Sequence, residues 1–197
     1  MEATIYSHLM GSLMYLVNTW PEMCFAVNQV IQDMVKPKKL YCKAAKHVLR
    51  YLTGTTQFGL WYQWAEGVKL QGFTNADLAG IPSDRKRTSR GIFSVGSATI
   101  SWYIKKQSFL ALYSVEVEYM VANQSTCEVI WTRKILVGLF SYIMDPTVIH
   151  YHNKCCIKLY ENLVFHDQSK HIDIWYHHLR DGVQRRITLL EYIPTKE

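Results

Sequence analysis

The sequence is short of cysteine, of charge and of long apolar runs, and each shortage argues against a class of protein. The five cysteines are an odd number and form no CxxC pair, so we expect no disulfide framework and a reducing, intracellular location. No stretch approaches the roughly 20 apolar residues of a membrane-spanning helix, so we expect no membrane partner. The apolar N-terminal run carries an early Glu2 and lacks a basic region, which is not typical of a signal peptide.

The residues that are present can build a folded core. Of the 197 residues, 49% are apolar and 19% are charged, which argues against an intrinsically disordered chain. The formal net charge is +6, and such an excess favours phosphate-rich partners without requiring one.

The hydrophobic period changes near residue 57 and predicts two regions. Before the change, apolar residues at helical spacing predict three helices, the third spanning about 39–52 and ending at Gly54. After it, β-rich segments and helices alternate: strands at 58–63, 68–75, 91–95 and 99–104, a helix at 114–140, a strand at 148–152, a helix at 170–183 and a strand at 187–193. We therefore predict a helical segment over 1–56 and a second domain over 57–197.

The connections between the strands predict a mixed sheet. Strands joined by short turns are antiparallel, and strands separated by helices are expected to be parallel. This order predicts the α/β class, but unrelated folds share it, so it predicts no function.

The third predicted helix carries a basic stripe. Lys39, Lys43, Lys46 and Arg50 recur at steps of three and four residues, which places them on one face of a helix. The simpler interpretation is a solvated face, and the alternative is a ridge that binds phosphates.

Several strings are more specific than the architecture. GSLMYLVNTWPEMCFAV and KAAKHVLRYLTGTTQFGLWY resemble the end of the reverse transcriptase in copia-type retrotransposon Pol polyproteins. GFTNADLAG, DRKRTSRGIFSVG, ISWYIKKQSFLALYSVEVEYMVA, KHIDIWYHHLRDGV and ITLLEYIPTKE resemble the ribonuclease H domain that follows it. The resemblance implies a ribonuclease-H-like mixed five-stranded sheet with flanking helices, preceded by a helical segment.

The resemblance also implies an activity, a cofactor and partners. The family hydrolyses the RNA strand of RNA–DNA hybrids with two Mg²⁺ or Mn²⁺ ions held by carboxylates. Hard oxygen ligands suit such ions, and two cations about 3.5–4 Å apart need several negative charges around them. The implied partners are the hybrid and the reverse transcriptase part of the same polyprotein, in the cytoplasm, a virus-like particle or the nucleus.

Most of the family's acidic set is substituted in this sequence. In the string TNAD, the first carboxylate is replaced by Asn75, whose amide offers one neutral oxygen. Asp77 lies on the same strand face and could bind metal only if the strand shifted, or it could be a turn acid before Gly80. The second carboxylate is retained as Glu118. The third is replaced by His152, whose imidazole suits softer metals.

Two further features bear on metal binding. The family's fourth carboxylate lies on a helix after the last strand, and the sequence reaches Glu197 before such a helix, so we expect the domain to lack it. His150, His152, Cys155 and Cys156 could suggest zinc, but their spacing matches no usual pattern. We therefore expect Mg²⁺ or Mn²⁺ not to bind productively and this copy to be catalytically inactive.

Basic residues could still hold nucleic acid weakly, through phosphates and 2′-hydroxyls rather than base edges. The candidates are Arg85, Lys86, Arg87 and Arg90 between the first two core strands, Lys105 and Lys106 at the end of the third, and Lys170 and His171 on the late helix. The sequence leaves three hypotheses: an inactive ribonuclease H domain, a non-catalytic nucleic-acid-binding remnant, and a drifted fragment without function.

Overall fold

The computed structural model describes residues 2–31, 34, 37–63, 69–77, 88–106, 114–141, 143–154, 157–158 and 179–194. The chain divides into two units, Met1–Leu60 and Trp61–Glu197, a few residues after the predicted boundary. Within the described ranges, no helix is both long enough and apolar enough to cross a bilayer.

The first unit contains three helices: α1 (Ala3–Leu16), α2 (Met23–Ile31) and α3 (Lys39–Gly54). Each helix has one apolar side, and these sides meet in a core formed by Tyr6, Met10, Leu13, Met23, Val27, Val30, Ala45 and Val48. The buried Tyr6 hydroxyl donates a hydrogen bond to the Val30 carbonyl at 2.5 Å, so the core keeps no unpaired phenol.

The second unit is a five-stranded sheet with a long helix on one side. Its elements are β1 (Leu70–Asp77), β2 (Thr88–Val95), β3 (Ala98–Lys106), α4 (Ser114–Phe140), β4 (Thr147–Tyr151) and β5 (Thr188–Tyr192). The spatial order is β3-β2-β1-β4-β5. The strands β1, β2 and β3 are antiparallel neighbours, whereas β4 is parallel to β1 and to β5. A turn at Gly96, whose φ is 59°, joins β2 to β3.

Strand alternation gives this sheet two unlike faces. The face toward α4, called here the helix face, carries Thr74 and Ala76 of β1, Phe93 of β2, and Ile149 and Tyr151 of β4, all buried. The opposite face, called here the open face, carries side chains that are exposed or half-buried: Phe73, Asn75, Arg90, Ile92, His150, Leu189 and Glu191. The sheet therefore separates a packed layer from a surface.

A buried polar network ties α4 to the helix face. Ser125 of α4 donates to the Thr74 hydroxyl at 2.8 Å and lies 2.9 Å from the Tyr103 hydroxyl. Thr74 in turn donates to the Arg90 carbonyl at 2.9 Å. The Tyr103 ring can reach Ser125 because it crosses Gly91, where an added Cβ would lie 2.5 Å from the ring.

The predicted fold class is confirmed: a helical segment precedes a mixed five-stranded sheet with flanking helices. The helix predicted at 114–140 has those bounds.

The strand predicted at 58–63 is wrong, because this segment is irregular. Its residues Tyr62 and Gln63 belong to the second unit and form no ladder pairs. The Tyr62 hydroxyl donates to the Thr99 carbonyl, and the Gln63 backbone amide donates to the Ser97 hydroxyl. Of the late helix predicted at 170–183, residues 179–184 are described and are helical.

Candidate functional site

Two of the predicted site residues, Asn75 and His152, meet at one end of the sheet. The strands β1 and β4 run parallel, with Thr74 opposite Tyr151 in their register. The next residue along each strand is therefore Asn75 or His152, and both line the same pocket. The structure therefore brings the two positions together. Their expected role at metal-ligand positions stays a prediction.

The pocket lies on the open face and has a volume of about 310 Å³. Its lining consists of Phe73, Thr74, Asn75, Arg90, Gly91, Ile92, His152, Ile193 and Pro194. The side chains that can donate or accept here are an amide, a guanidinium and an imidazole, and this described lining includes no carboxylate. Such a lining suits an anionic or amide-bearing group better than a divalent cation, which prefers charged oxygens.

Glu118 lies on the other side of the sheet. It belongs to α4, and its side chain is 3% exposed. The Tyr151 hydroxyl donates hydrogen bonds to the Glu118 carboxylate and, at 3.1 Å, to the Glu118 backbone carbonyl. Because Tyr151 is on the helix face of β4 and His150 is on the open face, the sheet itself separates Glu118 from the pocket.

Asp77 is the last residue of β1, and its backbone pairs with Thr88 of β2. Its side chain is outside the part of the structure that is described. By strand alternation, position 77 falls on the same face of β1 as Asn75.

The open face also contains a histidine that the sequence suggested as a zinc ligand. His150 stacks on Phe73 with ring centroids 4.6 Å apart. Its Nδ1 atom lies 3.8 Å from a Glu191 carboxylate oxygen on the neighbouring strand. The two cysteines proposed to join it, Cys155 and Cys156, are outside the described residues.

Only some of the predicted basic residues lie in the described part of the chain. Lys105 and Lys106 close β3, where Lys105 is exposed and Lys106 is half-buried. Arg90 lies within β2 and not in the preceding loop, paired in register with Asn75. The remaining candidates, Arg85, Lys86, Arg87, Lys170 and His171, fall outside the described residues.

The described side chains do not fit a two-metal centre. In the described ranges, no group of three or more His, Cys, Asp or Glu residues is placed to hold a metal ion. A metal centre of this kind needs several oxygen ligands converging from one side. Asn75, His152 and Glu118 do not converge, since two of them line the open-face pocket and the third is buried beneath the sheet.

Sequence reasoning missed the partner of Glu118 and the apolar side of the pocket. Tyr151 directly precedes His152. Because adjacent strand residues face opposite sides of the sheet, the position of His152 on one face could have indicated that Tyr151 lies on the other. Ile193 and Pro194 follow the last strand, and nothing in their local sequence indicated that they would border Asn75 and His152.

Comparisons with known proteins find relatives among retrotransposon polyproteins. No protein-family model matches the chain. The Retrovirus-related Pol polyprotein from transposon RE1 of Arabidopsis thaliana is 34% identical over 196 residues, which is 100% of this chain and 13% of that protein. The corresponding polyprotein from transposon TNT 1-94 of Nicotiana tabacum is 35% identical over 193 residues, 98% of this chain and 14% of that protein. The chain is homologous to one segment of the retrovirus-related Pol polyproteins of transposons.

The chain spans 13–14% of the length of these polyproteins. It is also 39% identical over 127 residues to the Secreted RxLR effector protein 161 of Plasmopara viticola, covering 64% of this chain and 89% of that protein. Among solved structures, LC11-RNase H1 in complex with an RNA/DNA hybrid is similar with a TM-score of 0.46 and 8% identity, over 64% of this chain and 86% of that one.

Proposed function

We propose that this chain is the ribonuclease H domain of a copia-type retrotransposon Pol polyprotein, preceded by the end of its reverse transcriptase, and that this copy is catalytically inactive. The proposed boundaries are 1–56 for the reverse transcriptase end and 57–197 for the ribonuclease-H-like domain. The homology supports the descent, since segments of two plant transposon polyproteins align with nearly the whole chain at 34–35% identity.

One observation carries the proposed inactivity: Asn75 and His152 occupy a pocket whose described lining has no carboxylate, while Glu118 is bonded to Tyr151 on the other face. Two closely spaced divalent ions require several carboxylates. Each carboxylate supplies a negative charge that an amide or a neutral imidazole does not supply. Metal ions contribute several kcal/mol to such a transition state. Losing about 4 kcal/mol would slow the reaction about a thousandfold.

The cofactor assignment follows from the same residues. Mg²⁺ or Mn²⁺ would serve an active relative, with Glu118 and the acids at positions 75 and 152 as its ligands and Asp77 as a further candidate. In this copy we propose that neither ion binds productively, so no step of hydrolysis is assigned to these side chains.

The second candidate function is weak, non-catalytic binding of an RNA–DNA hybrid or another nucleic acid. It is favoured by the guanidinium of Arg90 and the imidazole of His152 in the pocket, and by Lys105 and Lys106 at the end of β3. Contacts of this kind go to phosphates and weaken steeply with salt. The reverse transcriptase part of the same polyprotein is the proposed protein partner.

The test of inactivity is cleavage of an end-labelled RNA–DNA hybrid with Mg²⁺ or Mn²⁺, with an active ribonuclease H as the positive control. We expect the native chain to release no more product than buffer alone. Cleavage by the native chain would overturn the proposal. A variant with Asn75→Asp and His152→Asp separates two causes: if it cuts, the acids lost at these two positions explain the inactivity, and if it does not, these two acids alone are not sufficient.

A further inference from the structure

The exposed side of α3 carries four cations in a row. Lys39, Lys43, Lys46 and Arg50 are all exposed, and we call this set the α3 ridge. At 3.6 residues per turn their Cα positions fall within an arc of about 60°. At 1.5 Å per residue the row is about 16 Å long, with steps of about 4.5–6 Å between successive cations.

The rest of the first unit fixes the direction in which the ridge points. Ala45 and Val48, on the opposite side of α3, are buried in the core that α1 and α2 complete. Rotating α3 to hide its cations would expose these residues, so the ridge must face outward. This orientation follows from packing within the unit alone.

The ridge is electrostatically unfavourable without a partner. Cations three or four positions apart on a helix repel each other, and α3 has no Asp or Glu to offset them. Lys39 also stands in the first helical turn, where the helix dipole disfavours positive charge and acidic residues are absent. Within the described residues, none of the four cations forms an ion pair.

A purely solvated helix face usually mixes charges of both signs, which lowers this repulsion. The α3 ridge keeps one sign along its whole length. An anionic partner would remove both unfavourable terms at once, because every cation of the row would gain a counter-charge.

We propose that the α3 ridge binds the phosphate backbone of duplex nucleic acid. A single strand of a duplex carries one phosphate per about 3.4 Å of axis, so the ridge spans about five phosphates. The choice of nucleic acid among anions rests on the proposed function. An anionic membrane is less suitable, because helices that bind membranes insert their apolar side, and that side of α3 is already buried in the core.

The experiment compares the full-length native chain with full-length variants by fluorescence anisotropy, using labelled duplexes of about two helical turns, one of DNA and one RNA–DNA hybrid. The ridge variant carries Lys39→Gln, Lys43→Gln, Lys46→Gln and Arg50→Gln. The matched control variant loses four exposed cations from the second unit, by Lys69→Gln, Lys134→Gln, Lys158→Gln and Arg186→Gln. Glutamine has a helix propensity close to that of lysine and arginine, so we expect the ridge variant to fold, which circular dichroism would verify.

Each phosphate contact contributes about 0.9 to the slope of log affinity against log salt on DNA. Between about 50 and 200 mM KCl, we therefore expect the ridge variant, which lacks four cations, to lower that slope by about 3.6 and to bind at least about tenfold more weakly. The control variant is expected to keep the native slope. Replacing the three ridge lysines with arginine should preserve both affinity and slope, since charge alone is needed.

The outcomes separate this proposal from the proposed function. Equal slopes for the ridge and control variants, or no duplex binding by the native chain, would overturn the ridge. Binding lost only with Lys105→Gln and Lys106→Gln would overturn the ridge and leave the second candidate function standing. Ridge-dependent binding together with hybrid cleavage would support the ridge and overturn the proposed inactivity. Ridge-dependent binding to phosphatidylserine vesicles without duplex binding would overturn nucleic acid as the partner.

Discussion

The two faces of the sheet in the second unit differ in almost every physical respect. The helix face is buried under α4 and contains a hydrogen-bonded network through Ser125, Thr74 and Tyr103. The open face has half-exposed apolar side chains and the pocket that contains Asn75 and His152. Both faces belong to the same strands, so residues adjacent in sequence experience opposite environments.

Under the proposed function, this difference explains how the fold could persist while the acids expected at positions 75 and 152 are replaced. Substitutions at exposed positions usually alter stability by less than about 0.5 kcal/mol, whereas those in a packed core alter it by several kcal/mol. Asn75 is exposed and His152 is half-buried at the pocket, so changes at these positions leave the core intact. Glu118 is buried and accepts a hydrogen bond from Tyr151, so its substitution would disturb the packed layer.

The largest expected difference between the two faces is in the stability lost when a phenylalanine on each face is replaced by alanine. Phe93 is 0% exposed on the helix face, and Phe73 is 40% exposed on the open face. We expect Phe93→Ala to lower the free energy of unfolding by about 3–5 kcal/mol, and Phe73→Ala by roughly 1–2 kcal/mol because its ring leaves a smaller void. Urea denaturation of the two variants measures both values. Equal losses would mean that the open face is packed as tightly as the helix face.

A smaller effect depends on pH. Burial raises the pKa of Tyr103 above its ordinary value of 10.0, while hydrogen bonds with Ser125 and Thr74 act in the opposite direction. Because the folded state favours the neutral phenol, this contribution is fully present below pH 10 and is lost as pH rises through the folded pKa. The loss is at most about 1.4 kcal/mol per pH unit.

Urea titrations at neutral and strongly alkaline pH test this effect in the native chain and in Tyr103→Phe. We expect the variant to be less stable at neutral pH, since it loses the contact with Ser125, and to lose less stability than the native chain above pH 10. The same alkaline loss in both proteins would show that Tyr103 is not the buried phenol that titrates.

Much of the fold could be predicted because it depends on local sequence. The helix at 114–140 and the turn at Gly96 have clear local signals. Because α4 lies between β3 and β4 in the chain, it allows β4 to return to the sheet parallel to β1. The segment 58–63 has aromatic residues at strand-like spacing, but it contacts β3 through the Tyr62 side chain and forms no ladder. Strand pairing is a tertiary property, so composition alone could not exclude it.

The site could be predicted only in part, for a similar reason. Asn75 and His152 meet because each follows a paired residue of two adjacent parallel strands, which the strand order implies. The position of Glu118 depends on how α4 is rotated against the sheet, and helical periodicity within α4 does not specify that rotation. The bond from Tyr151 to Glu118 shows the orientation that the packing selects.

The central claim is that Glu118 shares no metal site with Asn75 and His152. Its most direct test is a calorimetric titration with Mn²⁺ of the native chain and, in parallel, of the Glu118→Gln variant. The substitution keeps an oxygen that can accept the Tyr151 hydrogen bond, so we expect the fold to be retained. The account predicts no saturable binding that differs between the two proteins. Saturable Mn²⁺ binding by the native chain that Glu118→Gln abolishes would contradict it.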